Sequence, residues 1–300
     1  MQKSKQISIG IIVAVIGVVL FSAKAVMVKL AYKYDITSEH LLLFRMSFSL
    51  PFYFAIAIFN KPSNPEKIRK IDYLWIIFFG FVGYYLASYF DFLGLQYIKA
   101  GLERIILFVY PTLVIIISRI FLKDKITKQQ LVAIIITYIG VVITFWQELQ
   151  LETSNLILGG SLIFLSALTY ATYLVGSGWL IPKFGVISFT SYAMIVSSLC
   201  IIFQYLAFDR GDLTSYSSEV YFLSILMAFF STIIPSYLIS YAIGKLGASN
   251  VAIIGSLGPI STIILAFFFL GESLSQIQII GAAIVILGIY SVTKKSKERK

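Results

Sequence analysis

Five ionisable residues in the first half of the chain, Lys24, Arg45, Asp91, Glu103 and Arg104, lie within or at the edge of long apolar runs. An ammonium or guanidinium group can bind a carboxylate or phosphate. A carboxyl beside it can compete for that cation or carry a proton. Such residues are costly inside a membrane and mark a functional site by default. Other residues could hold the body of a ligand. Ser166, Tyr170, Tyr173 and Ser177 are spaced 4, 3 and 4, which puts them on one helix face. Tyr84, Ser88, Asp91 and Leu95 share that spacing. Plainer readings stand beside these. Lys24 and Asp91 could be a permanent pair tying two helices. The serines could bond across helices as packing glue. Glu103 would suit a helix N-terminus, and Arg104 and Arg119 could snorkel to the surface. His40 falls in a connection, with no specific role expected.

The elements that position these groups follow from composition. Hydrophobic residues make up 59% of the chain and charged residues 13%, against about 45–50% and about 25% in a soluble domain. A soluble sphere could not hide that surplus, so it must face lipid. One cysteine, Cys200, excludes an internal disulfide. One histidine, His40, excludes paired-histidine zinc chemistry, and no metal or other cofactor is expected. The net charge of +10 fits basic membrane loops better than nucleic acid.

About 20 apolar residues cross a bilayer as a helix. Ten stretches qualify: 7–30, 41–59, 73–97, 102–122, 130–146, 157–181, 188–207, 220–243, 249–270 and 276–293. An even number places both termini on one side. The termini and the connections on that side hold 16 Lys and Arg residues; the opposite connections hold Lys29, Lys33, Lys99 and Arg210 with eight acids. Basic residues mark the cytoplasmic face, so both ends are expected there, including a basic tail, 294–300. Lys3, Lys5, the apolar run and Ala23-Lys24-Ala25 would also pass for a cleavable signal peptide. The repeat described next requires the first helix and argues against cleavage. At about 1.5 Å per residue, Lys24 and Asp91 lie roughly 9 Å from the outer ends of their helices and Arg45 roughly 6 Å.

The chain is written twice. Shifted by 148, residues 97–144 fall on 245–292 without a gap, with eleven identities among 48 pairs, including Pro111/Pro259, Gln130/Gln278 and Gly140/Gly288. A shift of 149 aligns Gly10 with Gly159 and Phe21 with Tyr170. Each copy has five helices, 7–146 and 157–293. Five is odd, so the second copy enters the membrane inverted, a pattern typical of transporters. The charged residues have no counterpart: the matched positions are Tyr173, Met194, Ile239, Val251 and Ala252. A charge cluster in one copy suits a specialised site or an external gate.

The segments from Ala100 through Pro111 to Lys123-Asp124-Lys125-Ile126-Thr127, and from Ala248-Ser249 through Pro259 to Leu270-Gly271-Glu272-Ser273-Leu274, carry a resemblance. The chain resembles the EamA family of the drug/metabolite transporter superfamily over nearly its whole length. The resemblance implies ten helices around a central cavity, with the fifth and tenth peripheral. It implies a small polar or amphipathic metabolite driven by a gradient rather than ATP, and export as the direction. The chain has no Walker-type phosphate loop, which agrees. Arg45 resembles an arginine that the family often carries in its second helix. The family usually has a polar, often uncharged residue near Lys24, so a relative's substrate does not transfer directly.

The reading is an all-α integral membrane protein, ten transmembrane helices as two inverted five-helix repeats in the cell (inner) membrane. It is expected to be a secondary transporter, not an enzyme, working by alternating access as the two halves rock. The solute is expected to be anionic or zwitterionic, such as an amino acid or organic acid. Lys24, Arg45, Asp91, Tyr170 and Tyr173 would bind it; Asp91, Glu103 and Arg104 would couple or gate. Protons or a counter-substrate are the coupling partners left open, as is a homodimer through the peripheral helices. The alternative is a proton-coupled exporter of cationic drugs using Asp91 and Glu103. A membrane enzyme would need a nucleophile–base pair or metal set at membrane depth, and none is legible. A tag on the C-terminal tail is expected to be labelled only from the cytoplasmic face of oriented vesicles; labelling from outside would overturn the topology.

Overall fold

The computed structural model describes residues 2–95, 97, 103, 106–144, 146, 156–209, 211–271 and 275–298. Regular structure among them is helical throughout. In chain order the helices are α1 (Gln2–Ala31), α2 (Ser38–Phe59), α3 (Lys70–Gly94), α4 (Tyr110–Leu122), α5 (Lys128–Thr144), α6 (Leu156–Phe184), α7 (Val186–Phe208), α8 (Ser218–Leu246), α9 (Ala248–Leu270) and α10 (Gln276–Glu298). Among the described residues seven helices are long and apolar enough to cross a membrane; the apolar parts of α4, α5 and α10 are shorter. Large apolar side chains such as Phe59, Ile157, Phe203 and Phe208 stand bare on the outside. That surface is stable only against lipid. The chain is therefore an all-α, multi-pass membrane protein.

The helices pack mainly across the midpoint of the sequence. α1 lies against α8 and α9, and α6 against α3 and α4. α2 pairs with α7, and α5 with α10. Small residues allow the closest approaches. Gly140 and Gly281 face each other between α5 and α10, and a Cβ at Gly140 would come within 2.8 Å of the Gly281 carbonyl. Gly10 and Gly17 let α1 settle on Leu246, Leu238 and Ile239 of α8.

Two matched pairs from the sequence acquire physical reasons. Gln130 and Gln278 close capping boxes at the starts of α5 and α10. The Thr127 N–H donates to Gln130 Oε1 (3.0 Å) and the Gln130 N–H to Thr127 Oγ1 (3.2 Å). Ser275 and Gln278 repeat this at 3.0 and 3.2 Å. Each box satisfies N–H groups that a helix start leaves without partners. Gly140 and Gly288 are close-packing positions between the same two helices.

Several helices depart from regular geometry. α3 carries a π-helical stretch at Phe81–Leu86 and α8 one at Phe229–Ile233, just before Pro235. α9 is broken at Gly255–Ser256 into Ala248–Ile254 and Leu257–Leu270. The stretch expected to run as one helix over 102–122 turns at Phe108–Val109, where the Val109 N–H bonds the Ile106 carbonyl at 3.0 Å. The cause in both is proline. Pro111 and Pro259 have no N–H and press on the preceding turn. The stretch expected over 157–181 continues as helix through Pro182 and Lys183 to Phe184, and the link to α7 shrinks to Gly185, held at φ 79°.

His40 is also corrected. α2 starts at Ser38, so His40 sits in its first turn, buried, with Nδ1 2.6 Å from the Tyr216 hydroxyl. At the other end of the bundle, α3 begins before the expected residue 73, and Asp72 in its first turn is wholly buried. It accepts from the Arg69 N–H and from Lys183 Nζ, both at 2.9 Å, fastening the start of α3 to the end of α6. The segment before α3 docks there too, through Ser63 N–H to the Phe184 carbonyl (3.0 Å).

Gly281→Ala places a methyl against Thr144 and the Gly140 backbone. It is expected to cost about 1–3 kcal/mol, the usual penalty for overpacking. Gly160→Ala, whose nearest neighbour is 3.5 Å away, should stay within about 0.5 kcal/mol. Unfolding in detergent micelles checks both; equal stabilities would contradict the packing account.

Candidate functional site

The C-terminal halves of α1 and α3 border a cavity of about 150 Å³. α1 contributes Phe21, Ser22 and Lys24; α3 contributes Tyr84, Ser88 and Asp91. Tyr110 of α4, Ser166 and Tyr170 of α6, and Gly258 and Pro259 of α9 complete the walls, which are largely apolar. Local structure explains the placement. Gly17 draws α1 tightly onto α8, and one heptad later the same face presents Lys24. The π-helical stretch of α3 brings in Tyr84, and Gly83 beside it leaves room for the Tyr173 ring, which any side chain there would strike.

Lys24 and Asp91 are thus brought to one cavity from two helices. The Lys24 ammonium lies 5.3 Å from the centre of the Phe21 ring, a cation–π distance. Asp91 Oδ1 is buried and has no hydrogen-bond partner among the described residues. A buried carboxylate oxygen in that condition is costly unless something polar reaches it. A ligand's donor would do so.

Arg45 occupies a different place. Its side chain is buried (4% exposed) and stands behind the lining, among Tyr84, Tyr53 and Asp91. Its Nε has no partner among the described residues. Tyr173 is also behind the wall. Its ring stands edge-on to that of Tyr84 at 5.0 Å, and its buried hydroxyl has no hydrogen-bond partner among the described residues. Tyr170 lines the cavity and stands edge-on to Tyr110 at 5.5 Å. Glu103 is buried but is not part of the lining. Arg104 lies outside the described residues.

The polar faces noted in the sequence divide in use. Ser166 lines the cavity and also donates to the Ala87 carbonyl at 2.8 Å, joining α6 to α3. Tyr53, which the sequence did not single out, bonds Ser236 at 2.8 Å, and Tyr237 bonds Ser191 at 2.7 Å. These are interhelical bonds buried away from the cavity. The sequence also did not single out Phe108, Tyr110, Gly255 and Gly258 as lining. The signal was present: Tyr110 precedes one matched proline and Gly258 the other. Among the described residues no group of three or more His, Cys, Asp or Glu is placed to hold a metal.

Known proteins place this geometry. The profile of the EamA-like transporter family matches residues 8–146 and 157–294. An uncharacterized transporter of Bacillus subtilis, YcbK, is 30% identical over 304 residues, covering 99% of this chain and 96% of its own. Another from the same organism, YyaM, is 27% identical over 79% of this chain and 78% of its own. An uncharacterized transporter of Archaeoglobus fulgidus is 29% identical over 77% of this chain and 81% of its own. A solved crystal structure shares the fold, with a TM-score of 0.78 over 95% of this chain and 98% of that one, at 12% identity. A transporter fold around a small, partly charged cavity, matched by the family along almost the full sequence, makes the chain a member of the EamA-like transporter family of the drug/metabolite transporter superfamily, a membrane protein that moves small solutes and not an enzyme.

Proposed function

We propose that this transporter moves a small anionic or zwitterionic metabolite, such as an amino acid or organic acid, across the cytoplasmic membrane by alternating access. The observation that carries the reading is the meeting of Lys24 and Asp91 in one cavity with aromatic walls. Lys24 receives the acid group of the solute. Arg45, behind Tyr84, adds positive potential and becomes a second ligand when that ring moves. Asp91 competes for Lys24 and so releases the solute, directly or as it takes up a proton. Tyr170, backed by Tyr173, holds the apolar part. Glu103 and Arg104 join Asp91 in coupling or gating. Export is the direction the resemblance implies.

Cavity size supports a metabolite over the alternative, a cationic drug. Sites for drug-sized ligands run to about 300–1,000 Å³; this one has about 150 Å³. Two inverted repeats, 7–146 and 157–293, are part of the same proposal. Exchanging helix numbers by five leaves the contacts unchanged: α1 with α8 and α9 becomes α6 with α3 and α4. The π-helical stretches of α3 and α8 also fall at matched positions. The halves interlock, so the bodies that rock are mixed: α1 with α8 and α9 against α6 with α3 and α4. The lysine-rich face, with both termini, is cytoplasmic, and the paired α5 and α10 are the face left for a second copy.

A thermal-shift screen of amino acids and organic acids on the purified protein should find solutes that raise its melting temperature, since binding stabilises the folded form. For such a solute, proteoliposome flux should saturate and be accelerated by solute on the far side. Lys24→Gln should weaken binding about 10–100-fold, the value of one charge-assisted hydrogen bond. Undiminished transport with a lower melting temperature would instead make Lys24 and Asp91 a structural pair.

A further inference from the structure

The cavity has a floor, and beneath it lies a second, more polar space. This inner pocket, about 270 Å³, is lined by Ile115, Asp124, Lys125, Gln130, Ser249 and Asn250, at the lysine-rich end of α4, α5 and α9. Gln130 Nε2 donates to Asn250 Oδ1 at 3.2 Å inside it. Along α9 the inner pocket ends at Asn250 and the outer cavity begins at Gly255. Ala252 lies between them.

The break in α9 exposes a backbone acceptor there. A regular helix would bond the Ser256 N–H to the Ala252 carbonyl. Here it bonds Ile253 instead, at 3.0 Å, and the Gly258 N–H turns back to Gly255 at 2.8 Å. Pro259 cannot donate to Gly255. The Ala252 carbonyl is met from another helix: the Tyr110 hydroxyl donates to it at 3.2 Å. Tyr110 is the residue at which α4 resumes after its own break. Gly255 is what lets the ring lie there, since a Cβ at that position would collide with the Tyr110 hydroxyl. One hydroxyl therefore joins the two broken helices, one from each mixed bundle, on the line between the two spaces.

We propose that Tyr110 is the inner gate of the solute path, closed when its hydroxyl bonds the Ala252 carbonyl across the breaks in α4 and α9. This rests on the transport reading. When the bundles tilt, the bond is exchanged for a solute or water contact and the outer cavity joins the inner pocket. The link suits that task. It is a single neutral hydrogen bond, readily replaced, and it lies where helix geometry is already interrupted, so the motion need not break a regular helix.

Accessibility tests this without knowing the solute. In a Cys200→Ser background, Ser88→Cys supplies a thiol in the outer cavity. A membrane-impermeant maleimide is added to either face of oriented vesicles. With Tyr110 intact, labelling from the outer face should dominate. Tyr110→Phe, which keeps the ring and removes the bond, should raise labelling from the lysine-rich face roughly 3–10-fold, the value of one neutral hydrogen bond. Gly255→Ala, which displaces the ring, should do the same, and Gly160→Ala should not. Two folded variants with unchanged labelling would overturn the gate. If either fails to fold, Gln130→Cys with Asn250→Cys decides alone: a short cross-link between them should abolish labelling from the lysine-rich face, and unaltered labelling refutes the path. Because flux is not read, switched labelling without any transported solute would count against the transport reading and leave the gate standing.

Discussion

A charge inside hydrocarbon must be given a polar companion by the protein itself, because no water is there to supply one. That constraint organises the interior. Lys24 and Asp91 cannot face the lipid that the isoleucines and phenylalanines of the same helices face, so α1 and α3 turn inward at those residues. Once both are inside, the space between the helices cannot collapse into a dry seam of leucine and valine. The cavity is the result, and Tyr84, Ser88, Ser166 and Tyr170 give its wall enough polarity to hold water or solute. Arg45 is buried near Tyr53 and Tyr84 instead, and its Nε is left without a partner among the described residues.

The backbone obeys the same rule. Most buried serine and threonine hydroxyls that form a hydrogen bond among the described residues return their proton to the preceding turn of their own helix, as Ser22 does to Val18 (2.7 Å), Ser177 to Tyr173 (2.7 Å) and Ser231 to Met227 (2.9 Å). Such groups cost nothing to bury and leave their helices free to slide on small residues. Bonds that cross between helices are fewer; among them are Tyr53 to Ser236, Tyr237 to Ser191, Ser166 to Ala87, Gln130 to Asn250, Tyr110 to Ala252, and the ion pair of Asp72 with Lys183. The distinction separates parts that can shift past one another from parts that are fastened.

What was legible in the sequence follows from this chemistry. Helices show because each must present about 20 apolar residues. Lys24 and Asp91 show because a charge among them is conspicuous. Gln130 and Gln278 show as a repeated pair, although their work as caps becomes clear only with the backbone. Tyr110 and Gly255 stayed hidden because neither is unusual in an apolar chain. Their significance is a three-dimensional clash avoided and a carbonyl left without its helical donor. The tyrosines around Arg45 stayed hidden for a similar reason: nothing in the spacing of Arg45 and Tyr84 says that the two come near each other from different helices. His40 was misplaced because the start of α2 is set by the Thr37 cap, whose hydroxyl accepts the His40 N–H at 3.2 Å. A shift of one turn at a helix end moves a residue from solvent to core.

The distribution of charge bears on how such a cavity can work. The ionic wall belongs to α1 and α3, while α4, α8 and α9 contribute Phe108, Tyr110, Ile239 and Pro259. Electrostatic attraction is long-ranged in a medium of low dielectric, and apolar contact is short-ranged. On the reading proposed above, however, Lys24 and Asp91 belong to opposite bundles, α1 with α8 and α9 against α3 with α4 and α6. Tilting the bundles would change the separation of the two charges while the apolar contacts slide. A charged solute between them would then be gripped or released by that change in separation. The breaks in α4 and α9 are where the backbone is already irregular and can take up the motion.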